Sequence, residues 1–201
     1  MRISIFPLPG AILFPGMQLP LHIFEPRYRA LVKDALARDR RIGLIQPKQA
    51  SEGAPLYKIG CLGKIGEVEA LEDGRFNLVL AGEARFRITR ELDTATPFRQ
   101  VDGELLGQEE HPALSPVERA GFEREARRFA DRQGYAVDWE AVMRLVDEAQ
   151  IDGTSPIVPF DIASKQALLE AATLPERCEL LVQLMQFFGR RDSDDGQVTL
   201  Q

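Results

Sequence analysis

The chain has 201 residues, of which 44% are hydrophobic and 28% charged, and its formal net charge is −6. This composition is typical of a soluble globular protein that buries a proper core. The negative charge argues against a general binder of nucleic acid or anionic membrane, because both need a positive field. Residues 1–110 carry 15 basic and 15 acidic side chains, whereas residues 111–201 carry 10 and 16. We therefore predict one subdomain over 1–110, a second over 111–190, and a polar tail over 191–201.

Targeting and redox signals point to the cytoplasm. No apolar run approaches the ~20 residues that a membrane span needs, and prolines interrupt the N-terminal stretch where a signal peptide would lie. Cys61 and Cys178 are far apart in sequence and belong to no CxxC or Cys/His cluster. Two buried thiols in a reducing compartment are the expected arrangement.

The opening stretch, residues 6–29, combines five prolines with short apolar runs. Residues 18–24 alternate, which places Leu19, Leu21 and Ile23 on one face of a strand and Pro20, His22 and Phe24 on the other. Proline cannot donate a hydrogen bond to a ladder, so this strand is expected at a sheet edge or a bulge.

A helix is predicted to follow, with Pro26 in its first turn, where the missing N–H costs nothing. Its apolar stripe has helical spacing and consists of Tyr28, Leu31, Val32, Ala35 and Leu36. From residue 42 to 106 the chain reads as short strands, with a hairpin turn at Asp73-Gly74. Many short strands with one early helix predict a compact, barrel-like sheet.

Beyond residue 112 the hydrophobic period becomes helical. Ser115 and Glu118 form a capping box with proline at the first helical position, and Asp138 is a second predicted cap. Residues 153–159 are predicted to break the helices. A third helix starts at Asp161 or Ser164, and a fourth runs from Pro175 to Gly189. The predicted fold is therefore α+β, a β-barrel followed by a bundle of about four helices.

Few residues suggest catalysis or a cofactor. The chain has two histidines, His22 and His111, and no metal-binding spacing, so no metal or other cofactor is predicted. No serine has a nucleophile-elbow context. Gly60 to Gly66 resembles a phosphate loop only superficially, because strands flank it. The carboxylates Glu67 and Glu69 are expected on a solvated strand face.

The stretch FPLPGAILFPGMQLPLHIFEPRYRALVKDAL resembles the opening of the N-terminal substrate-recognition domain of Lon proteases. GRFNLVLAGEARFRI and SKQALLEAATLPERCELLVQLM are similar to later parts of that domain. The resemblance implies a PUA-like β-pseudobarrel followed by a helical bundle. Because these residues contain no Walker motif and no Ser–Lys protease motif, the resemblance implies a stand-alone, non-enzymatic domain.

The function implied by the resemblance is binding of unfolded or extended polypeptide, with a protease or chaperone as a possible partner in protein quality control. The candidate binding residues lie in the opening stretch, and each could instead belong to the core. They are Phe14, Met17, His22, Phe24 and Tyr28.

Two alternatives stay open from the sequence. PUA-like barrels can hold RNA, and a basic face would need Arg85, Arg87, Arg90 and Arg99 to converge. A small-molecule enzyme with a site in the barrel mouth would need His22 close to a carboxylate or to Cys61.

Overall fold

The computed structural model describes residues 1–106 and 113–195, with side chains up to residue 189. The chain divides into two compact units, Met1–Glu109 and Glu110–Gln201. The predicted boundary at 110/111, His111, and residues 196–201 of the predicted tail lie outside the described residues.

The first unit is a β-barrel with one helix. Its sheet has the order β2-β5-β4-β3-β1-β6, and β5 also pairs with β6, so five of the strands close into a ring. Only β2 lies outside this ring, paired with β5 alone. The elements are β1 (Arg2–Pro7), β2 (Gln18–Ile23), α1 (Pro26–Leu36), β3 (Arg41–Ile45), β4 (Ile59–Ala70), β5 (Phe76–Leu92) and β6 (Gln100–Leu105). The predicted barrel with one early helix is confirmed, and β2 is an edge strand as its proline predicts.

Helix α1 begins as its sequence predicts, with Glu25 as the N-cap and proline in the first turn. Tyr28, Leu31, Val32 and Ala35 form its buried face. They belong to a large core cluster that also contains residues of β1 to β5. The helix therefore covers one side of the sheet, and its apolar stripe excludes water from that side.

A second core cluster is built around Phe86, which is fully buried. Three glycines on neighbouring strands make room for its ring: a Cβ atom on Gly43 or Gly60 would come within 2.9 Å of the ring, and one on Gly103 within 3.3 Å. Gly60 of β4 thus serves close packing. The register of β4 against β5 shifts between Leu62 and Gly63 and again between Ile65 and Val68.

The second unit is helical, and α6 contacts three of the other helices. Five helices lie within residues 113–195, compared with about four predicted from the sequence. They are α2 (Pro116–Gln133), α3 (Trp139–Met143), α4 (Asp147–Ile157), α5 (Ile162–Glu170) and α6 (Leu174–Asp195). The capping box at Ser115 is present, and the side chains of Asp138 and Asp161 cap α3 and α5.

Two helix predictions were wrong. Residues 153–159 were expected to be a break, but α4 continues to Ile157 with Pro156 inside its last turn. Pro156 has no N–H to donate to the carbonyl four residues earlier, so the last turn lacks one backbone hydrogen bond, and the helix ends one residue after it. Gly189 was expected to end the last helix, but α6 passes through it to Asp195. Gly189 instead allows close contact with α2, because a Cβ atom at this position would come within 3.0 Å of the Arg132 guanidinium.

Candidate functional site

The loop before β2 is fixed by a tight turn. Pro15 and Gly16 occupy its central positions, Gly16 has a φ of +76°, and the Met17 N–H donates to the Phe14 carbonyl at 3.1 Å. The turn is hydrogen-bonded to Gly82 on β5. The Gly82 N–H donates to the Met17 carbonyl at 2.8 Å, and the Gly82 carbonyl accepts from the Gly16 N–H at 2.9 Å. A side chain at position 82 would collide with the Phe14 carbonyl. The loop therefore enters β2 in one defined register.

That register determines which backbone groups of β2 face away from β5. Met17 lies opposite Gly82 and is bonded to it, and bonded and non-bonded pairs alternate along an antiparallel ladder. Leu19 and Leu21 therefore direct their backbone groups toward β5, while Gln18, Pro20 and His22 direct theirs outward. Proline has no backbone N–H, so Pro20 is compatible with a position whose backbone groups do not bond to β5.

No other strand in the described part of the chain pairs with the outward side of β2. We call this side, from Gln18 to Phe24, the β2 edge. The side chains confirm that it is open: Leu19 and Leu21 point inward but are only half-buried. Their partners on β5, Leu80 and Leu78, are 0% and 4% exposed. The core is thus incompletely covered where β2 ends the sheet.

The outer face next to the β2 edge carries a polar row that crosses three strands. Asn77 donates to Glu69 Oε2 at 2.8 Å, which leaves its amide oxygen facing His22 Nδ1 at 2.7 Å. His22 Nδ1 must therefore donate, and its Nε2 accepts from the Arg75 guanidinium at 3.2 Å. The row fixes the orientation of the imidazole ring. It contains no nucleophile, so its evident role is to fix the outer face of β2.

Phe24 is the exposed aromatic side chain at this site, with 60% of its surface accessible. Its ring stacks on that of His22 with centroids 6.2 Å apart. An aromatic ring left in water beside an unpaired strand is a typical anchor for a bound chain.

The other predicted binding residues are less accessible. Phe14 is fully buried, and Met17 is half-buried against the α1 core. Tyr28 is buried against Phe6 with ring centroids 4.3 Å apart, and its hydroxyl donates to the Pro7 carbonyl at 3.3 Å. Burial raises the pKa of Tyr28, which keeps the hydroxyl a donor. These three side chains stabilise the fold, so His22 and Phe24 are the predicted residues that the structure places at the surface.

A groove of about 600 Å³ runs along the outer face of β2, β5 and β4. Its apolar lining includes Pro20, Val68 and Val79, and its polar lining includes the His22–Asn77–Glu69 row and Glu67. From the sequence, Glu67 and Glu69 were assigned to a solvated face, and both are exposed. Leu19 and Leu21 were not predicted as site residues. Alternation in the sequence shows which face of a strand a side chain occupies, but it does not show whether another strand follows in the sheet.

The direct pairs that the enzyme alternative requires are not formed, because Asn77 lies between His22 and the Glu69 carboxylate and His22 is far from Cys61. His22 lies opposite Asn77 and Cys61 lies opposite Arg85, so roughly 26 Å of strand separates them. Cys61 is also buried in the core. Within the described ranges, no group of three or more His, Cys, Asp or Glu residues is placed to hold a metal ion.

The four arginines of the RNA alternative do not form one free basic face. Arg85 is buried, and Arg99 forms two hydrogen bonds to Glu91 at 2.5 and 2.7 Å. Arg90 is bonded to Asp102 at 2.8 Å. Nothing in this geometry favours the RNA alternative.

Solved structures share this architecture. A Lon N-terminal domain protein from Xanthomonas campestris matches with a TM-score of 0.71 and 20% identity, over 91% of this chain and 98% of that one. The N-terminal domain of a Lon protease from the Mycobacterium avium complex matches with a TM-score of 0.70 and 20% identity, over 92% and 98%. These likenesses confirm the predicted class of fold, a PUA-like β-pseudobarrel with a helical unit.

Sequence comparison identifies the family. Residues 2–186 match the family described as the ATP-dependent protease La (LON) substrate-binding domain, and the chain belongs to it. Lon protease 2 of Myxococcus xanthus is 28% identical over 192 residues, which cover 91% of this chain and 23% of that protein. Lon protease of Escherichia coli strain K12 is 26% identical over 198 residues, 92% of this chain and 24% of that protein. The chain thus spans about a quarter of the length of these curated relatives.

No helix in residues 1–106 or 113–195 is both long and apolar enough to cross a membrane.

Proposed function

We propose that this chain binds extended, partly apolar segments of polypeptide at the β2 edge and catalyses no reaction on them. The observation that carries the proposal is the open sheet edge: β2 has no outer neighbour within the described residues, and its side chains Leu19 and Leu21 are only partly buried. Membership of a substrate-binding family supports the same function. The bound segment is then available to a protease or chaperone.

Apolar burial supplies the driving force for this binding. Leu19 and Leu21 on β2, and Phe24 directly after it, keep accessible apolar surface. Removing apolar surface from water stabilises a complex by about 25 cal/mol per Å². Folded proteins bury most of their apolar side chains, whereas unfolded chains offer them freely, so the surface selects for unfolded partners.

A cytoplasmic site of action is part of the proposal. Cys61 and Cys178 lie far apart in sequence and are both buried, as expected of cysteines in a reducing compartment.

A pair of matched variants tests the function. Phe24→Asp places a charge at the β2 edge, and Phe187→Asp makes the same change at an exposed phenylalanine of the helical unit, where 56% of the side chain is accessible. Binding to a reduced, carboxymethylated and permanently unfolded protein is measured by fluorescence anisotropy. We expect Phe24→Asp to weaken binding about tenfold and Phe187→Asp to leave it unchanged. Equal affinities for all three proteins, or no binding by the unmodified chain, would overturn the proposal.

A further inference from the structure

We propose that the polypeptide binds by strand addition, extending the sheet at the β2 edge in the phase that the loop before β2 imposes. This inference rests on the proposed function and specifies its chemistry. The partner is an extended segment in which alternate residues have two different roles.

The backbone groups that receive the added strand belong to three alternate residues. The phase fixed by Gly82 and Met17 turns the N–H groups of Gln18 and His22 outward, together with the carbonyls of Gln18, Pro20 and His22. The added strand is antiparallel to β2, so it bonds to these groups through the residues that lie directly opposite them, here called the bonding set. Pro20 removes one donor from the edge but keeps its carbonyl, so it weakens pairing without preventing it.

The partner residues that lie between those of the bonding set carry the side chains that complete the core. These residues lie opposite Leu19 and Leu21 and point to the same inner face, so we call them the covering set. Their apolar side chains bury the remaining surface of the two leucines, whose β5 neighbours are already covered. The bonding set points to the outer face, beside His22 and Phe24, where polar side chains are tolerated.

Selectivity follows from this division. Backbone bonds are independent of sequence, so the site accepts many segments. Residues of the covering set must be apolar, so the segment needs an apolar residue at every second position over about five residues. This is the pattern of a β-strand that another protein exposes when it unfolds. A helical or folded segment cannot present both sets at once.

Peptides methylated on backbone nitrogen separate the two sets without altering the protein. The probe is a nine-residue peptide that alternates serine and valine and ends in lysines. One version is N-methylated at every serine and another at every valine. Valine occupies the covering set, so the serine nitrogens face β2 and the valine nitrogens face solvent. Three lost bonds of about 1 kcal/mol each predict a loss of affinity near 100-fold for the serine version, with less than about threefold for the valine version.

The outcomes distinguish the two proposals. If the unmodified peptide binds and both methylated versions bind equally well, strand addition is overturned while polypeptide binding stands. If the unmodified peptide and the unfolded protein both fail to bind, the proposed function falls, and strand addition falls with it. A loss confined to the valine version reverses the assigned phase and overturns the inference.

A variant of the protein checks the same phase from the other side. His22→Pro removes an outward N–H that the free fold leaves unpaired, and His22→Ala is the matched control that keeps it. We expect the proline variant to bind the unmodified peptide about tenfold more weakly than the alanine variant, with thermal stabilities that differ little. Equal affinities would contradict the assignment of the His22 N–H to the partner.

Discussion

Leu19 and Leu80 lie directly opposite each other on β2 and β5, and truncating each to alanine tests whether the β2 edge is open. Leu80 has no accessible surface, so Leu80→Ala leaves a cavity in a closed core and should cost about 3–5 kcal/mol. Leu19 is only half-buried. Leu19→Ala removes atoms that already contact water, and we expect a cost of about 1 kcal/mol.

Native-state hydrogen exchange provides the assay, because the slowest amides of β5 report the unfolding free energy of the barrel itself. The reasoning predicts a difference of at least about 2 kcal/mol between the two variants. Equal costs for Leu19→Ala and Leu80→Ala would show that the edge is covered. The proposed binding surface would then lose its basis.

Three further predictions concern the rest of the chain. Arg177 and Asp152 form a buried ion pair with an N–O distance of 2.7 Å. Arg177→Met leaves the Asp152 carboxylate buried without this partner, so it should destabilise the helical unit by about 3–5 kcal/mol in urea unfolding. Adding Asp152→Leu removes the buried charge and should recover most of that loss. Hydrogen bonds from Arg99 hold the pKa of Glu91 below its ordinary value, so the stabilisation is present above a pH of about 4.3 and is lost as the pH falls through the lower folded-state pKa. Arg99 also donates to the Ala54 carbonyl at 3.0 Å, so Arg99→Gln should reduce stability more at pH 7 than at pH 2, and an equal loss at both values would contradict the assignment. Burial raises the pKa of the Cys178 thiol to about 11, so iodoacetamide at pH 8 should modify this residue only after unfolding. Mass spectrometry measures the modification, and labelling of the native protein would be inconsistent with this burial.

Local sequence signals predicted several elements well. Proline in the first turn and the spacing of its apolar residues identified α1 because a helix of this kind is specified by neighbours in sequence. The Asp73-Gly74 turn and the alternation of residues 18–23 identified a hairpin and β2 for the same reason. The Lon-like opening then indicated the overall architecture, which local patterns alone would have left open.

Features that depend on distant contacts were less predictable. Closure of the barrel joins β5 to β6, and no local pattern encodes which strands become neighbours. Phe14 was a candidate binding residue because its segment is apolar and rich in turns, but the contact of its loop with Gly82 buries it completely. Residues 153–159 were expected to break the helices, but α4 continues through Pro156 and ends at Ile157.

The candidate site shows the same limit. Alternation placed His22 and Phe24 on one face of the strand, but it left open which residues of the opening stretch are exposed, and the structure exposes both of these. Leu19 and Leu21 have the sequence signature of ordinary core residues. Their exposure arises only because no strand follows β2 in the sheet, a property of the topology and not of the residues themselves.

Amide exchange along β2, measured by NMR with and without the alternating serine–valine peptide, tests the central claim most directly. In the free protein the amides of Leu19 and Leu21 should already be protected by β5, while those of Gln18 and His22 exchange quickly. Saturating peptide should slow exchange at Gln18 and His22 by at least about tenfold, because each gains a backbone acceptor. Peptide binding that leaves the exchange of both outward amides unchanged would contradict strand addition at the β2 edge.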